Sequence, residues 1–261
     1  MNLRPAAYDA IDFDSEESSA LAQKIMREKK CLRDIYTEIY QEMMHVKDHY
    51  LVAGGTTLEI GSGGGFIKDM FPEVVTSDVK VIAGVDLILG AETLPFADNS
   101  VSAIFAVHVI HHIPDITKFL REAERVLVPG GGIVCVEPYW SPIAKFVYTH
   151  MHVEPYDDHA PTWLVNGDRP MSSSNQALSY LLLKRDRAQF NTMFPHLTLV
   201  YERPFGFIRY MATGGIWLPP KLPQFAFGSL RMLEYLLQPL MPLLALHHMF
   251  VWKKSPEILN K

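Results

Sequence analysis

Beyond residue 137 the sequence gathers groups able to move protons or hold a metal. The run "YTHMHVEPYDDH" carries His150, His152, Glu154, Asp157, Asp158 and His159 within a dozen positions, and Glu137 stands shortly before it. Imidazoles and carboxylates are the usual general acid–base groups and are also legitimate metal ligands. No HExxH or comparable spacing appears, so a metal site is not expected. The cluster reads as a polar pocket. In it His152 is the candidate general base, paired with or oriented by Glu154, and Glu137 is the rival.

A second chemical feature lies earlier, in "LEIGSGGGF" (58–66). Glycines between a strand and a helix let backbone N–H groups approach a ligand that a Cβ would exclude. Asp78 closes the next apolar run, where an acidic side chain can accept both hydroxyls of a ribose. A phosphate loop of the GxxxxGK[ST] kind is absent, because the glycines lead into Phe66 and Ile67 and Lys68 is wrongly spaced.

These residues need a frame. Leu21, Ile25, Leu32, Ile35, Ile39 and Met43 recur at helical spacing, which predicts one helix from about Ser15 to Tyr50, capped by Ser15 or Ser18. The period then changes. "TTLEIG", "EVVTSD", "VDLIL", "VSAIFAVHVI" and "GIVCVEP" read as strands, with a short helix "FIKDMF" and a capped amphipathic helix "PDITKFLREAERVL" between them. That alternation indicates βαβ units and a parallel sheet, and strands apolar on both faces indicate helices on both sides. Residues 138–175 show no clear periodicity and read as an inserted loop or cap over the site. Helix, strand, helix and strand follow, the last strand being "LHHMFVWKK".

Composition narrows the classes. A chain of 261 residues with 48% hydrophobic and 20% charged residues can bury one substantial core. Its net charge of −5 argues against a nucleic-acid partner. Two distant cysteines, Cys31 and Cys135, give no disulfide framework or CxxC site, which fits a reducing, cytoplasmic setting. No signal-peptide pattern opens the sequence. "LLQPLMPLLALHHMFVW" (236–252) is leucine-rich but broken by two prolines, and it falls short of the ~20 apolar residues of a membrane span. The apolar stretch "FIRYMATGGIWLPPKLPQFAFGSL" reads as core, a peripheral membrane patch or homodimer contact being the other reading.

Taken in order and spacing, "LEIGSGGG", "SD", "AETLPFADNSVSAIFAVHVIHHI" and "REAERVLVPGGGIVCVEP" resemble a class I S-adenosylmethionine-dependent methyltransferase of the type 11, UbiE-like branch. The resemblance is strong over about 56–138. It implies an α/β, Rossmann-like class I methyltransferase fold. That fold has a mostly parallel seven-stranded sheet with an antiparallel last strand, helices on both faces, an N-terminal helical segment (1–52), and a methyltransferase domain (53–261) with its cap at 138–175. It also implies the cofactor S-adenosyl-L-methionine and a ligand map. Glu59, Gly61, Ser62 and Gly63 would form the loop under methionine and ribose. Asp78 would take the ribose hydroxyls, Ala91 and Glu92 would lie by the adenine, and His108 would border the methionine end. Two positions depart from the family: Gly90 stands where an acidic residue accepts from the adenine amino group, and Ser102 stands where Asp opens the fourth strand.

The reading is therefore an enzyme that moves a methyl group to a small-molecule or glycan acceptor, through a hydroxyl oxygen and with a lipid-linked sugar in view. The competing reading is a catalytically weak cofactor-binding relative acting as a partner subunit, to which Gly90 and Ser102 give standing. An NAD-dependent oxidoreductase is disfavoured, since GxGxxG would need a glycine at Phe66 or Ile67. His112 is expected to be structural, and Trp163 to be cap core.

Overall fold

Seven strands order themselves as β3-β2-β1-β4-β5-β7-β6 in the computed structural model, which describes residues 5–6, 9, 11–167, 169 and 171–255. They are β1 (Thr56–Ile60), β2 (Val75–Asp78), β3 (Leu87–Ile88), β4 (Val101–Val107), β5 (Leu127–Pro138), β6 (Leu197–Phe205) and β7 (His247–Lys254). The first five run parallel, and β7 is antiparallel to both β5 and β6. The order reverses between β1 and β4, so the crevice for ligands opens at the carboxyl ends of these two strands. Seven strands with an antiparallel β7 agree with the expected fold class.

Two apolar layers cover the sheet. On one face α2 (Lys30–Tyr50) sets Leu32, Ile39, Met43 and Val46 against Phe105, Val134, Val136 and Val251. On the other, α4 (Ile116–Val126) buries Phe119, Leu120 and Ala123 against Ile104, Ile133 and Trp252. Asp115 starts α4 by accepting from the N–H groups of Thr117 and Lys118, as its sequence signal foretold. Leu181, Leu182 and Phe190, from the helical stretch after the insert, complete that layer.

Two expectations give way. The single helix over 15–50 is two, α1 (Glu16–Glu28) and α2, broken at Lys29. The cause is distant: the Lys29 ammonium donates to the carbonyls of Gly215 and Leu218, and this holds the joint against another part of the chain. The insert is not all loop, because Ser141 caps α5 (Pro142–His150) with Pro142 in its first turn. In the apolar stretch 207–230, Ala212 and Phe227 are buried and Tyr210, Met211, Ile216 and Leu230 pack on the core, while Phe225 is exposed. The stretch forms α8 (Ile208–Thr213, numbering the short helices α3 Ile67–Met70, α6 Leu178–Tyr180 and α7 Arg187–Met193 before it) and starts α9 (Ala226–Leu236), which leaves Met232, Tyr235 and Leu236 exposed as well. Among the described residues no helix is long and apolar enough to cross a membrane.

Candidate active site

The glycine-rich loop leaves β1 and turns back beneath α1. Ser62 N–H donates to the Ser77 carbonyl at 2.8 Å and so ties the loop to β2. Gly61 and Gly63 take positive φ, +60° and +47°, a region closed to most side chains. Most of the glycines make room for protein. A Cβ on Gly61 would stand 2.5 Å from a Val109 methyl, one on Gly64 3.0 Å from the Gln23 nitrogen of α1, and one on Gly65 2.5 Å from the Tyr40 hydroxyl. Close approach of three neighbours therefore fixes the glycine pattern, and only Gly63 and Gly64 are also presented to open space.

That space is a cavity of about 610 Å³, within the ~300–1,000 Å³ usual for small-molecule sites. Gly63, Gly64, Asp78, Lys80 and Ile82 line one end. Asp78 is 7% exposed, and its two oxygens accept from Gly63 N–H and Lys80 N–H, each at 2.9 Å. Each carboxylate oxygen keeps a second lone pair, so a vicinal diol in the cavity still finds acceptors there. Below the loop lies Glu59, 2% exposed and absent from the cavity wall. Burial raises its carboxyl to about 7, against hydrogen bonds from Ser62 and Tyr40. Glu59 and Ser62 thus support the loop from behind. Ala91 packs on the core beside α4, and Glu92 accepts from Asp115 N–H at 2.9 Å, so its carboxylate holds the start of α4.

The other end carries the titratable groups. His108, with φ +57° where β4 stops, shares the wall with His111, His112, Tyr148, His152, Glu154, Gln176 and His247. The two regions singled out in the sequence, 58–78 and 137–154, thus meet in one cavity. Glu137 is fully buried behind that wall. One oxygen accepts from Val109 N–H and Ile110 N–H at 2.8 Å each, and the other takes the Nδ1–H of His111. Glu137 is therefore a positioning residue without access to the cavity, which removes it as the rival base. His111 reaches Glu154 with its second nitrogen, Nε2, at 3.2 Å. Burial opposes charge on this ring, yet the two carboxylates outweigh it and push His111 up to about 10. Burial alone would raise the Glu154 carboxyl, but His112 and His111 hold it well below the ordinary carboxylate range.

His152 is oriented differently from expectation. Its Nδ1 accepts from Gln176 Nε2 at 2.9 Å and from the Glu154 backbone N–H at 3.2 Å, while the Glu154 carboxylate serves His111. Burial lowers its affinity for a second proton, so a neutral His152 carries its hydrogen on Nε2. His108, likewise buried, falls to about 4. The remainder of the histidine- and acid-rich run disperses: Asp158 pairs with Lys145, Asp157 caps its own turn, and His159 is exposed. Reasoning from sequence missed His111, Gln176 and Tyr148 as members of the wall. The "HH" pair was visible, but its partners lie 26 and 43 residues away.

Residues 58–135 match a family model described as "Methyltransferase domain". This segment carries the sequence pattern of that family. The strand order of the whole sheet agrees with the Rossmann-like methyltransferase fold expected from the sequence. The chain is 47% identical over 51 residues to the ubiquinone/menaquinone biosynthesis C-methyltransferase UbiE of Rickettsia prowazekii, a match covering 20% of this chain and 21% of that protein. It is 51% identical over 47 residues to the UbiE protein of Brucella canis, covering 18% of each. The matched part therefore spans about a fifth of these curated relatives. Among solved structures, geranyl diphosphate C-methyltransferase from Streptomyces coelicolor aligns over 98% of this chain and 91% of its own, with 14% identity and a TM-score of 0.46.

Proposed function

We propose that this chain is an enzyme that moves the methyl group of S-adenosylmethionine to a small molecule held at the histidine-lined end of the cavity. The observation that carries the reading is the continuity of that cavity. Gly63 and Asp78 stand at one end, and His108, His152 and Glu154 stand at the other. The cofactor's features fit the residues present. Gly63 and Gly64 leave the loop backbone accessible, Asp78 offers acceptors for a ribose, and a sulfonium calls for no phosphate cradle. When bound, S-adenosylmethionine supplies an electrophilic methyl on a good leaving group, and the protein's task is alignment.

The chain's own groups suit a hydroxyl acceptor. Anionic Glu154 and the Nε2–H of His152 give such a hydroxyl an acceptor and a donor on one wall. Deprotonation then falls to His152 after a tautomer change, with Glu154 orienting the hydroxyl. The roof comes from α1, which contributes Ser18, Ser19 and Ala22, and from the 211–218 segment, which contributes Met211, Gly214, Trp217 and Leu218. Arg169, Met171 and Ser172 of the insert bind Asp12 and Asp14 ahead of α1, which joins the two covers. A cavity of this size takes a small acceptor or the end of a larger one, such as a lipid-linked sugar. The exposed Phe225, Met232, Tyr235 and Leu236 favour the lipid-linked case, with the chain working peripherally at a membrane from the cytoplasm.

The test is transfer of labelled methyl from S-adenosylmethionine to fractionated host extract. Label entering a small-molecule or lipid-extractable fraction, and lost in Glu154→Gln, supports the proposal. S-adenosylmethionine binding with no transfer to any fraction would favour a non-catalytic partner subunit.

A further inference from the structure

We propose that His111, His112 and Glu154 form a site for one first-row divalent transition-metal ion, a departure from what the sequence spacing suggested. One ligand atom from each lies within 4.8 Å of the others. Glu154 Oε2 stands 3.2 Å from His111 Nε2 and 3.8 Å from His112 Nε2. Metal–ligand bonds of about 2.1 Å place neighbouring ligand atoms roughly 3.0–3.4 Å apart, so the Glu154–His111 pair is already at that spacing and the Glu154–His112 pair needs to close by a few tenths of an ångström. Two imidazoles and one carboxylate, with remaining positions open, suit zinc, iron or cobalt better than magnesium or calcium.

The outer shell carries the argument further. Metal-binding histidines donate their second ring N–H to a carboxylate or a backbone carbonyl, which fixes the tautomer. Both kinds of partner are present: His111 Nδ1–H goes to Glu137, and His112 Nδ1–H goes to the Ser173 carbonyl at 3.2 Å. Glu137 is itself clamped by the N–H groups of Val109 and Ile110. Gln176 fixes the carboxylate by donating to Glu154 Oε2 at 2.8 Å.

His112, with Nδ1–H donated to Ser173, turns its Nε2 toward Glu154 Oε2, the same oxygen that faces His111 Nε2. A cation there would take one nitrogen from each ring and that carboxylate oxygen. The open positions face the cavity, so the ion would hold an oxygen of the acceptor and favour its deprotonated form. This use of the metal rests on the methyl-transfer reading, whereas the site itself does not.

The test uses the full chain, stripped with chelator and titrated with Co²⁺ while its visible absorption is followed, and with Zn²⁺ in calorimetry. One tight site is expected, with Zn²⁺ displacing Co²⁺. His112→Ala and Glu154→Gln should weaken Co²⁺ binding at least a hundredfold, and Glu137→Gln about ten- to a hundredfold. His45→Ala/His49→Ala should leave this site intact while removing any binding by the stacked surface pair on α2. S-adenosylhomocysteine affinity and a thermal melt on the same samples show whether each variant is folded. Wild-type Co²⁺ affinity in folded His112→Ala and Glu154→Gln, or no binding beyond the α2 pair, overturns the site. Loss of S-adenosylhomocysteine binding by the wild type would instead sink the methyl-transfer reading and leave the metal result standing.

Discussion

Replacing Asp78 with Asn tests the cofactor end most sharply, because the change removes charge and one acceptor with almost no change in shape. Both carboxylate oxygens of Asp78 hold backbone N–H groups at 2.9 Å, from Gly63 and Lys80. An Asn side chain can serve one of these and turns an NH₂ toward the other. Leaving one amide without its partner costs about 1–3 kcal/mol of local stability. In a chain of this size that corresponds to a Tm loss of roughly 2–12 °C. The ligand loses one charge-assisted hydrogen bond, worth about 1.5–3 kcal/mol, or about tenfold to a hundredfold in Kd. Calorimetric titration with S-adenosylhomocysteine reads that loss directly. Asp86→Asn is the control. Asp86 also caps β2, accepting from Thr76 N–H at 2.9 Å, but it lies off the cavity wall. It should lower Tm while leaving Kd within twofold. Equal affinities for wild type and Asp78→Asn, or equal losses in both variants, would refute the ribose role of Asp78.

Other outcomes follow from the same geometry. Burial raises Glu59 to about 7, so the folded chain keeps a proton that the unfolded chain loses near the ordinary carboxylate value. The stability this gives is complete below about pH 4 and is lost as pH rises through about 7. The Tm of Glu59→Gln should therefore gain on wild type between pH 5 and pH 8, and a difference that does not change with pH contradicts the assignment. Gly61→Ala brings a Cβ to 2.5 Å from Val109 at φ +60°, and should cost about 1–3 kcal/mol in denaturant unfolding. Adding Val109→Ala should recover part of that loss, and strict additivity would show that the contact is not the cause. Glu137→Gln breaks a buried ion pair and should cost about 3–5 kcal/mol in the same assay, whereas a neutral effect would remove its positioning role.

The sheet was readable because each strand announces itself locally. "AIFAV" and "GIVCV" are apolar on both faces, and Asp115 sits where α4 needs a cap. The cofactor loop was readable for a similar reason, although its glycines answer mainly to Val109, Gln23 and Tyr40, which no local pattern reveals. The break at Lys29 stayed hidden because its cause, the carbonyls of Gly215 and Leu218, lies 186 and 189 residues away. Helix α5 was within reach, since Ser141 followed by Pro142 is an N-terminal signal, but the prolines and aromatics around it obscured the period. The acid–base wall was legible only in part. His152 and Glu154 were named, yet the role given to Glu137 required knowing that β4 and β5 are neighbours. Only then do the amides of Val109 and Ile110 fall on its carboxylate.

The most direct measurement is a crystal structure of the chain with S-adenosylhomocysteine. The account predicts the ribose hydroxyls within hydrogen-bond distance of Asp78, the nucleoside beside Gly63, and the sulfur directed toward His108 and the His152–Glu154 wall. Ligand bound elsewhere, or in this cavity with its ribose away from Asp78, would contradict it.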